Sequence, residues 1–153
     1  MRKRILLMAL LLFVLISACA CSSQSKLDSQ SASKEEELYS VASNISLKMG
    51  TTFDGETVLD NTDFIGFNYE YNESQEEYNF TFKLTEGGQK KITDVTTTLA
   101  ETSGELSLWI GEELISSPRV VAPITGDAFT MNAVGISEEN LAGFVEKLEG
   151  KQR

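Results

Sequence analysis

The chain contains no histidine, and its only two cysteines are Cys19 and Cys21. The absence of histidine removes the commonest general base and metal ligand, and with it any Ser-His-Asp triad. Because no cysteine lies beyond residue 21, the rest of the chain has no internal disulfide, thiol nucleophile or cysteine-ligated zinc site. Neither a G-x-G-x-x-G nor a P-loop pattern is present. We therefore expect a protein that is not an enzyme and that has no cofactor and no metal.

Basic residues are also few, since 13 Lys+Arg stand against 23 Asp+Glu for a formal net charge of −10. Such a charge repels phosphate backbones, which argues against nucleic acid as a partner. Among the many carboxylates, the best cluster for a calcium site or a paired-acid hydrolase is Asp54, Glu56, Asp60 and Asp63. Its spacing lacks the alternating oxygens and terminal glutamate of an EF-hand loop. We interpret the cluster as a solvated acidic loop.

Residues 1–18 have the layout of a secretory signal peptide. Three basic residues precede an apolar run, Ile5 to Ile16, that is too short and wrongly flanked for a stable membrane span. The run ends in Ile16-Ser17-Ala18-Cys19, which resembles a bacterial lipobox. We expect cleavage before Cys19 and attachment of a diacylglycerol to its sulfur. An ordinary signal peptide cut nearby, or an uncleaved anchor, is the alternative.

Cleavage before Cys19 would remove Arg2, Lys3 and Arg4 but no acidic residue, which changes the formal charge from −10 to −13. The expected location is the extracytoplasmic face of the cell membrane, which the protein contacts through its lipid anchor. The lipidated cysteine and a Ser/Gln-rich stretch make up residues 19–34, with little apolar surface to bury. This composition predicts a flexible tether that spans roughly 20 Å.

Two further segments follow the tether. In residues 35–48, Leu38, Val41 and Ile45 recur at a weak helical spacing, which indicates either a short helix or the end of the tether. Residues 49–150 are enough for one domain with one hydrophobic core.

Alternation of aromatic residues predicts an antiparallel hairpin around the polar segment "NESQEE". The alternating residues are Phe64, Phe67, Tyr69 and Tyr71 before it, and Tyr78, Phe80, Phe82 and Leu84 after it. Thr85 is the predicted N-cap of a helix, and Gly104 ends that helix.

Three more strands and a helix complete the predicted domain. Leu106 to Ile110 and the residues after Gly111-Glu112 form a hairpin that stops before Pro118. A last strand contains Phe129 and Met131, and Ser137 caps the final helix. The order β-β-α-β-β-β-α predicts an α+β fold, with two helices packed on one face of a mainly antiparallel sheet.

Four motifs occur in an order that resembles a known family: "FTFKLTEGGQKKITDVT", "LSLWIGEELISSP", "PITGDAF" and "SEENLA". They resemble the head subdomain of the first extracytoplasmic domain of the SecD/SecDF protein-export membrane protein. Leu84-Thr85 matches that family's strand end, Pro118 its hairpin exit and Pro123-Ile124 its next corner. Gly111-Glu112 departs from the family's usual Asp-Gly turn. The resemblance covers about residues 50–149.

The resemblance implies a SecDF head-like domain over residues 49–150 and contact with polypeptides. The function that we expect is a non-enzymatic, lipid-anchored extracytoplasmic binding module that contacts exported polypeptide or translocase components. The alternative is a structural or small-ligand-binding lipoprotein of the cell envelope with no export role. A carboxylate-dependent hydrolase is a third hypothesis. It would need two close carboxylates with separated pKa values.

Overall fold

The computed structural model describes residues 37–133 and 135–151. The predicted signal peptide, Cys19 and the tether lie outside the described residues, as do Glu35 and Glu36. No helix of the described part is long and apolar enough to cross a membrane. The elements of the described part, in chain order, are β1 (Ile45–Met49), β2 (Thr57–Asp60), a 3₁₀ turn (Asn61–Asp63), β3 (Phe64–Asn72), β4 (Glu77–Leu84), α1 (Glu86–Thr102), β5 (Leu106–Ile110), β6 (Glu113–Ser116), β7 (Ala128–Ala133) and α2 (Glu138–Leu148).

The strands form two antiparallel sheets instead of the single sheet that was expected. One sheet has the order β2-β1-β5-β6, and the other has the order β3-β4-β7. The α+β class is confirmed. The predicted order β-β-α-β-β-β-α corresponds to β3 through α2, and β1 and β2 precede it.

The segment before β1 contains no helix and ends in a turn, so the short helix considered for residues 35–48 is wrong over the described residues 37–48. Tyr39 and Phe67 of β3 exchange two backbone hydrogen bonds, of 2.7 and 2.9 Å. The N–H of Ala42 donates to the carbonyl of Leu148 at 2.7 Å. The weak helical spacing does not produce a helix, because the backbone of this segment pairs with β3 and β5 and hydrogen-bonds the end of α2 instead. The folded domain therefore begins before residue 49.

The predicted aromatic hairpin is confirmed as β3 and β4, which pair Phe67 with Phe82 and Tyr71 with Tyr78. This register places the aromatic rings on one face of the sheet, while Thr81 and Thr130 share a hydroxyl hydrogen bond on the exposed face. A single hydrophobic cluster joins both sheets and both helices. Its fully buried members include Ile45, Leu47, Leu59, Phe67, Phe80, Phe82, Leu84, Ile92, Leu108 and Leu148.

The 3₁₀ turn carries the chain from the first sheet to the second, and two aspartates hold it. Asp60 is its N-cap, with Oδ1 accepting from the Thr62 N–H at 2.8 Å and from the Thr62 hydroxyl at 2.6 Å. These bonds lower the pKa of Asp60 below its ordinary value of 3.8. Its contribution to stability is therefore present above pH 3.8 and is lost as the pH falls further.

Asp63, at the end of the turn, is only 4% exposed, so the interpretation as a solvated loop is wrong for this residue. Its carboxylate accepts from the Asp60 N–H at 3.1 Å and from Lys91 Nζ at 2.8 and 2.9 Å. These donors replace the hydrogen bonds to water that the carboxylate loses on burial. The carboxylate raises the pKa of Lys91 above its ordinary value of 10.5.

The start of α1 packs directly against the same turn. The N–H of Thr85, the N-cap of α1, donates to the Asp63 carbonyl at 2.9 Å, and its hydroxyl accepts from the Gly88 N–H at 3.2 Å. A Cβ added at Gly88 would lie 2.6 Å from the Asp63 carbonyl oxygen. Gly88 is therefore required by close backbone approach, whereas at neighbouring Gly87 the nearest atom would be 3.9 Å away.

Substitution of these two glycines tests the contact. We expect Gly88→Ala to lower the free energy of unfolding by about 1–3 kcal/mol, because the added methyl overlaps backbone that cannot move freely. Gly87→Ala is the matched control, expected to be neutral or to stabilise by up to about 1 kcal/mol, since alanine favours the helix. Urea unfolding followed by circular dichroism measures both, and equal destabilisation would contradict the close approach.

A double-mutant cycle tests the Asp63–Lys91 pair. Lys91→Met leaves a buried carboxylate with one backbone donor, whereas Asp63→Asn leaves a lysine that is 52% exposed and reaches water. We expect Lys91→Met to lower the melting temperature more, and the double variant to melt above Lys91→Met. The difference between wild type and Lys91→Met should be present at pH 7 and vanish as the pH rises through the raised Lys91 pKa. Additive effects would show that the two groups are uncoupled.

Candidate functional site

A cavity of about 180 Å³ lies between β6 and β7, the end strands of the two sheets. Phe80 and Phe82 of β4 line it from one sheet, and Leu108 of β5 lines it from the other. Phe144 of α2 and Ile136, in the turn before α2, complete its apolar wall. We call this space the apolar cavity.

Each strand beside the apolar cavity has an open outer edge. β6 pairs only with β5, and β7 pairs only with β4, within the described part of the chain. After β6 the chain continues to pair with the start of β5, since Glu105 and Arg119 form a bridge on the inner side, away from the outer edge of β6. The outer N–H and C=O groups of both strands therefore lack a strand partner. Such an edge can hydrogen-bond an added extended chain.

A wider and more polar space of about 840 Å³ adjoins the apolar cavity at Ile136, which lines both. The rings of Tyr71 and Tyr78 line it, with centroids 5.0 Å apart. Three glutamates also line it, Glu76, Glu77 and Glu138, and no lysine or arginine does. We call this space the acidic recess.

Two local motifs position the glutamates of the acidic recess. In the turn between β3 and β4, the Asn72 side chain accepts from the Ser74 N–H at 3.0 Å, and Glu76 has a left-handed backbone with φ of 55°. On the other side, Asn140 Oδ1 accepts from the N–H of Ser137, the N-cap of α2, at 2.7 Å. This capping box begins the helix and places Glu138 in its first turn.

The residues proposed from sequence as an acidic cluster do not form this site. Asp60 and Asp63 belong to the 3₁₀ turn, and neither they nor Asp54 and Glu56 line the apolar cavity or the acidic recess. Among the described residues, no three His, Cys, Asp or Glu side chains are grouped so that they could hold a metal ion. Cys19 lies outside the described residues.

Sequence reasoning missed the apolar cavity and the acidic recess. The sequence places Glu76 and Glu77 in the polar segment of the predicted hairpin, and Tyr71 and Tyr78 among its alternating aromatic residues. Their clustering with Glu138 depends on a contact between segments about sixty residues apart, which no local pattern encodes. The one available signal was that carboxylates flank a pair of tyrosines at the hairpin turn.

The loop that contains both prolines is held to the fold and lies outside these two spaces. The N–H of Ile124 donates to the Thr96 hydroxyl at 2.9 Å, and the Thr93 hydroxyl donates to the Ile124 carbonyl at 2.7 Å. Leu106 donates its N–H to the Pro118 carbonyl at 3.1 Å. These bonds explain the loop as a structural connection between β6 and β7.

No protein-family model and no curated protein matches this sequence. Solved structures of SecDF share its fold. One, described as a membrane component that enhances protein export, is 15% identical with a TM-score of 0.54, over 84% of this chain and 70% of that chain. Another, SecDF in a super-membrane-facing form, is 14% identical with a TM-score of 0.54, over 69% of this chain and 18% of that one. At these identities the likeness concerns the fold alone, and the domain therefore has a SecDF-like α+β fold.

Proposed function

We propose that this chain is a non-enzymatic, lipid-anchored binding module on the extracytoplasmic face of the membrane, and that it binds extended polypeptide during protein export. The observation that carries the proposal is the apolar cavity between two open strand edges. Its size and the backbone chemistry of the strands beside it each support this function.

The size of the apolar cavity suits one side chain better than a free ligand. Pockets for small molecules typically enclose about 300–1,000 Å³. The apolar cavity is about 180 Å³, close to the roughly 150 Å³ that accommodates a benzene ring in a protein interior. An isolated molecule of that size would gain little affinity, whereas a side chain of a longer polypeptide gains further contacts outside the cavity.

The backbone chemistry beside the cavity supplies those further contacts. An extended segment lying along β7 would accept and donate main-chain hydrogen bonds at its open edge. Alternate side chains of such a segment point to opposite faces of the sheet, so every second one faces inward. Main-chain pairing is independent of sequence, which suits a module that meets many different polypeptides.

The export role is supported by the fold. The structures that it resembles are of SecDF, described as enhancing protein export. Translocase components are therefore proposed partners beside the exported polypeptide itself.

The acidic recess favours a second candidate function. Its volume of about 840 Å³ is in the range of small-molecule pockets. A structural or small-ligand-binding lipoprotein of the cell envelope, with no export role, would use this space alone.

Peptide binding to the full chain tests the main proposal. We expect a dye-labelled, extended ten-residue peptide with one central leucine to bind, and Ile136→Asp to weaken binding about tenfold or more, because a charge then faces an apolar side chain. Ile65→Asp is the matched control, since Ile65 is 60% exposed and lines neither the apolar cavity nor the acidic recess. Fluorescence anisotropy gives the dissociation constants, and circular dichroism checks that both variants are folded.

Two results would argue against the proposal. Equal loss of binding in both variants would mean that the contact is non-specific. Failure of every peptide to bind, together with a rise in melting temperature on adding a small anionic or cationic compound, would favour the small-ligand function.

A further inference from the structure

We propose that the apolar cavity and the acidic recess are one continuous site for an extended polypeptide segment. The bound segment has an apolar side chain and, two residues before or after it, a Lys or Arg. This inference rests on the proposed function and deepens it by naming the class of segment that is bound.

The two spaces are continuous along the inner face of β4. Phe82 and Phe80 line the apolar cavity, and Tyr78, the next residue on the same face, lines the acidic recess. β7 follows the same path, since Met131 pairs with Phe80 and Ala133 pairs with Tyr78. Residues two apart in a strand are separated by about 7 Å. Met131 and Ala133 both line the apolar cavity, and Gly135, two residues after the end of β7, lines the acidic recess. A strand added to β7 with one side chain beside Ala133 would therefore place the side chain two residues further on over the acidic recess.

The charge of the acidic recess selects a cation. Glu76 and Glu138 are exposed and Glu77 is half-buried. No ion pair within the described residues involves any of the three. Lys147, in the last turn of α2, is paired at 2.5 Å with Glu113 of β6. Three like charges thus share one space with no paired cation among the described residues, so a bound ammonium or guanidinium would relieve their repulsion.

The start of α2 does not reverse this preference. A helix N-terminus on its own attracts anions through its free N–H groups. Here the Asn140 side chain occupies the Ser137 N–H, and Glu138 and Glu139 occupy the first turn. Those carboxylates offset the positive end of the helix dipole and leave the acidic recess negative.

Tyr71 and Tyr78 add a second source of cation affinity. Their rings meet edge to face at 60°, and Tyr71 is 51% exposed. The face of a tyrosine attracts Lys and Arg through its quadrupole. A second copy of this chain is a poor occupant, because the formal charge of −10 makes two copies repel one another.

Four ten-residue peptides, added to the full chain, test the inference. Each has one central leucine. The first has lysines two residues to either side, the second has glutamates there, the third has glutamines there, and the fourth has lysines one residue to either side. We expect the first to bind about tenfold more tightly than the third. The fourth should bind more weakly than the first, because its lysines face away from the acidic recess.

Charge neutralisation locates the effect on the protein. The triple variant Glu76→Gln, Glu77→Gln, Glu138→Gln should weaken binding of the first peptide about tenfold and leave the third unchanged. Asp54→Asn, Glu56→Gln, Glu101→Gln is the matched control, because it removes the same charge from exposed residues that line neither space. The preference for lysine should shrink between about 0.1 M and 1 M salt, where the Debye length falls from about 10 Å to 3 Å.

The outcomes separate this inference from the proposed function. If all four peptides bind alike and Ile136→Asp still weakens them, the polypeptide-binding function stands and the charge selection is wrong. If the control triple variant weakens binding of the first peptide as much as the triple variant of the acidic recess does, the net charge of the chain causes the preference for lysine, and the acidic recess does not. If the first and fourth peptides bind equally, pairing along β7 is wrong. If no peptide binds, both proposals fail.

Discussion

The buried carboxylate of Asp63 holds the turn that connects the two sheets, and the candidate site lies at the opposite end of both sheets. Asp63 ends the turn between β2 and β3, each of which is an end strand of its own sheet. Its bonds to Lys91, together with the Thr85 bond to its carbonyl, fix α1 to that junction. The sheets are therefore joined at the β2–β3 end. At the opposite end, β6 and β7 remain unpaired with each other, which leaves the apolar cavity between them.

Sequence patterns predicted the elements that local chemistry determines. The alternation from Phe64 to Leu84 implied the hairpin, Thr85 and Ser137 implied the two helix starts, and all three are confirmed. The division into two sheets could not be predicted in this way, because it depends on pairing between β1 and β5, about sixty residues apart. The same is true of Asp63. A carboxylate in an acidic segment is expected to be solvated. The burial of Asp63 depends instead on Lys91, 28 residues later.

The candidate site needs the same long-range information. Glu76, Glu77 and Tyr78 are adjacent in sequence, but they form the acidic recess only because β7 and the start of α2 lie against β4. A fold shared at 15% identity places equivalent strands without specifying such side chains. The fold likeness alone therefore does not specify a function, and the proposed preference for a particular kind of segment rests on the arrangement of aromatic and acidic side chains in this chain.

Binding of one side chain and a short strand is intrinsically weak, since ordering a flexible segment offsets much of what its contacts contribute. Weak binding would suit the proposed function, because such a module must also release its polypeptide. A lipid anchor and a tether of the proposed length would confine the domain near the membrane, where short flexible linkers give effective concentrations in the millimolar range. Local concentration could then supply occupancy that affinity does not, and under the proposed preference the charge of the acidic recess would decide which segments remain bound longest.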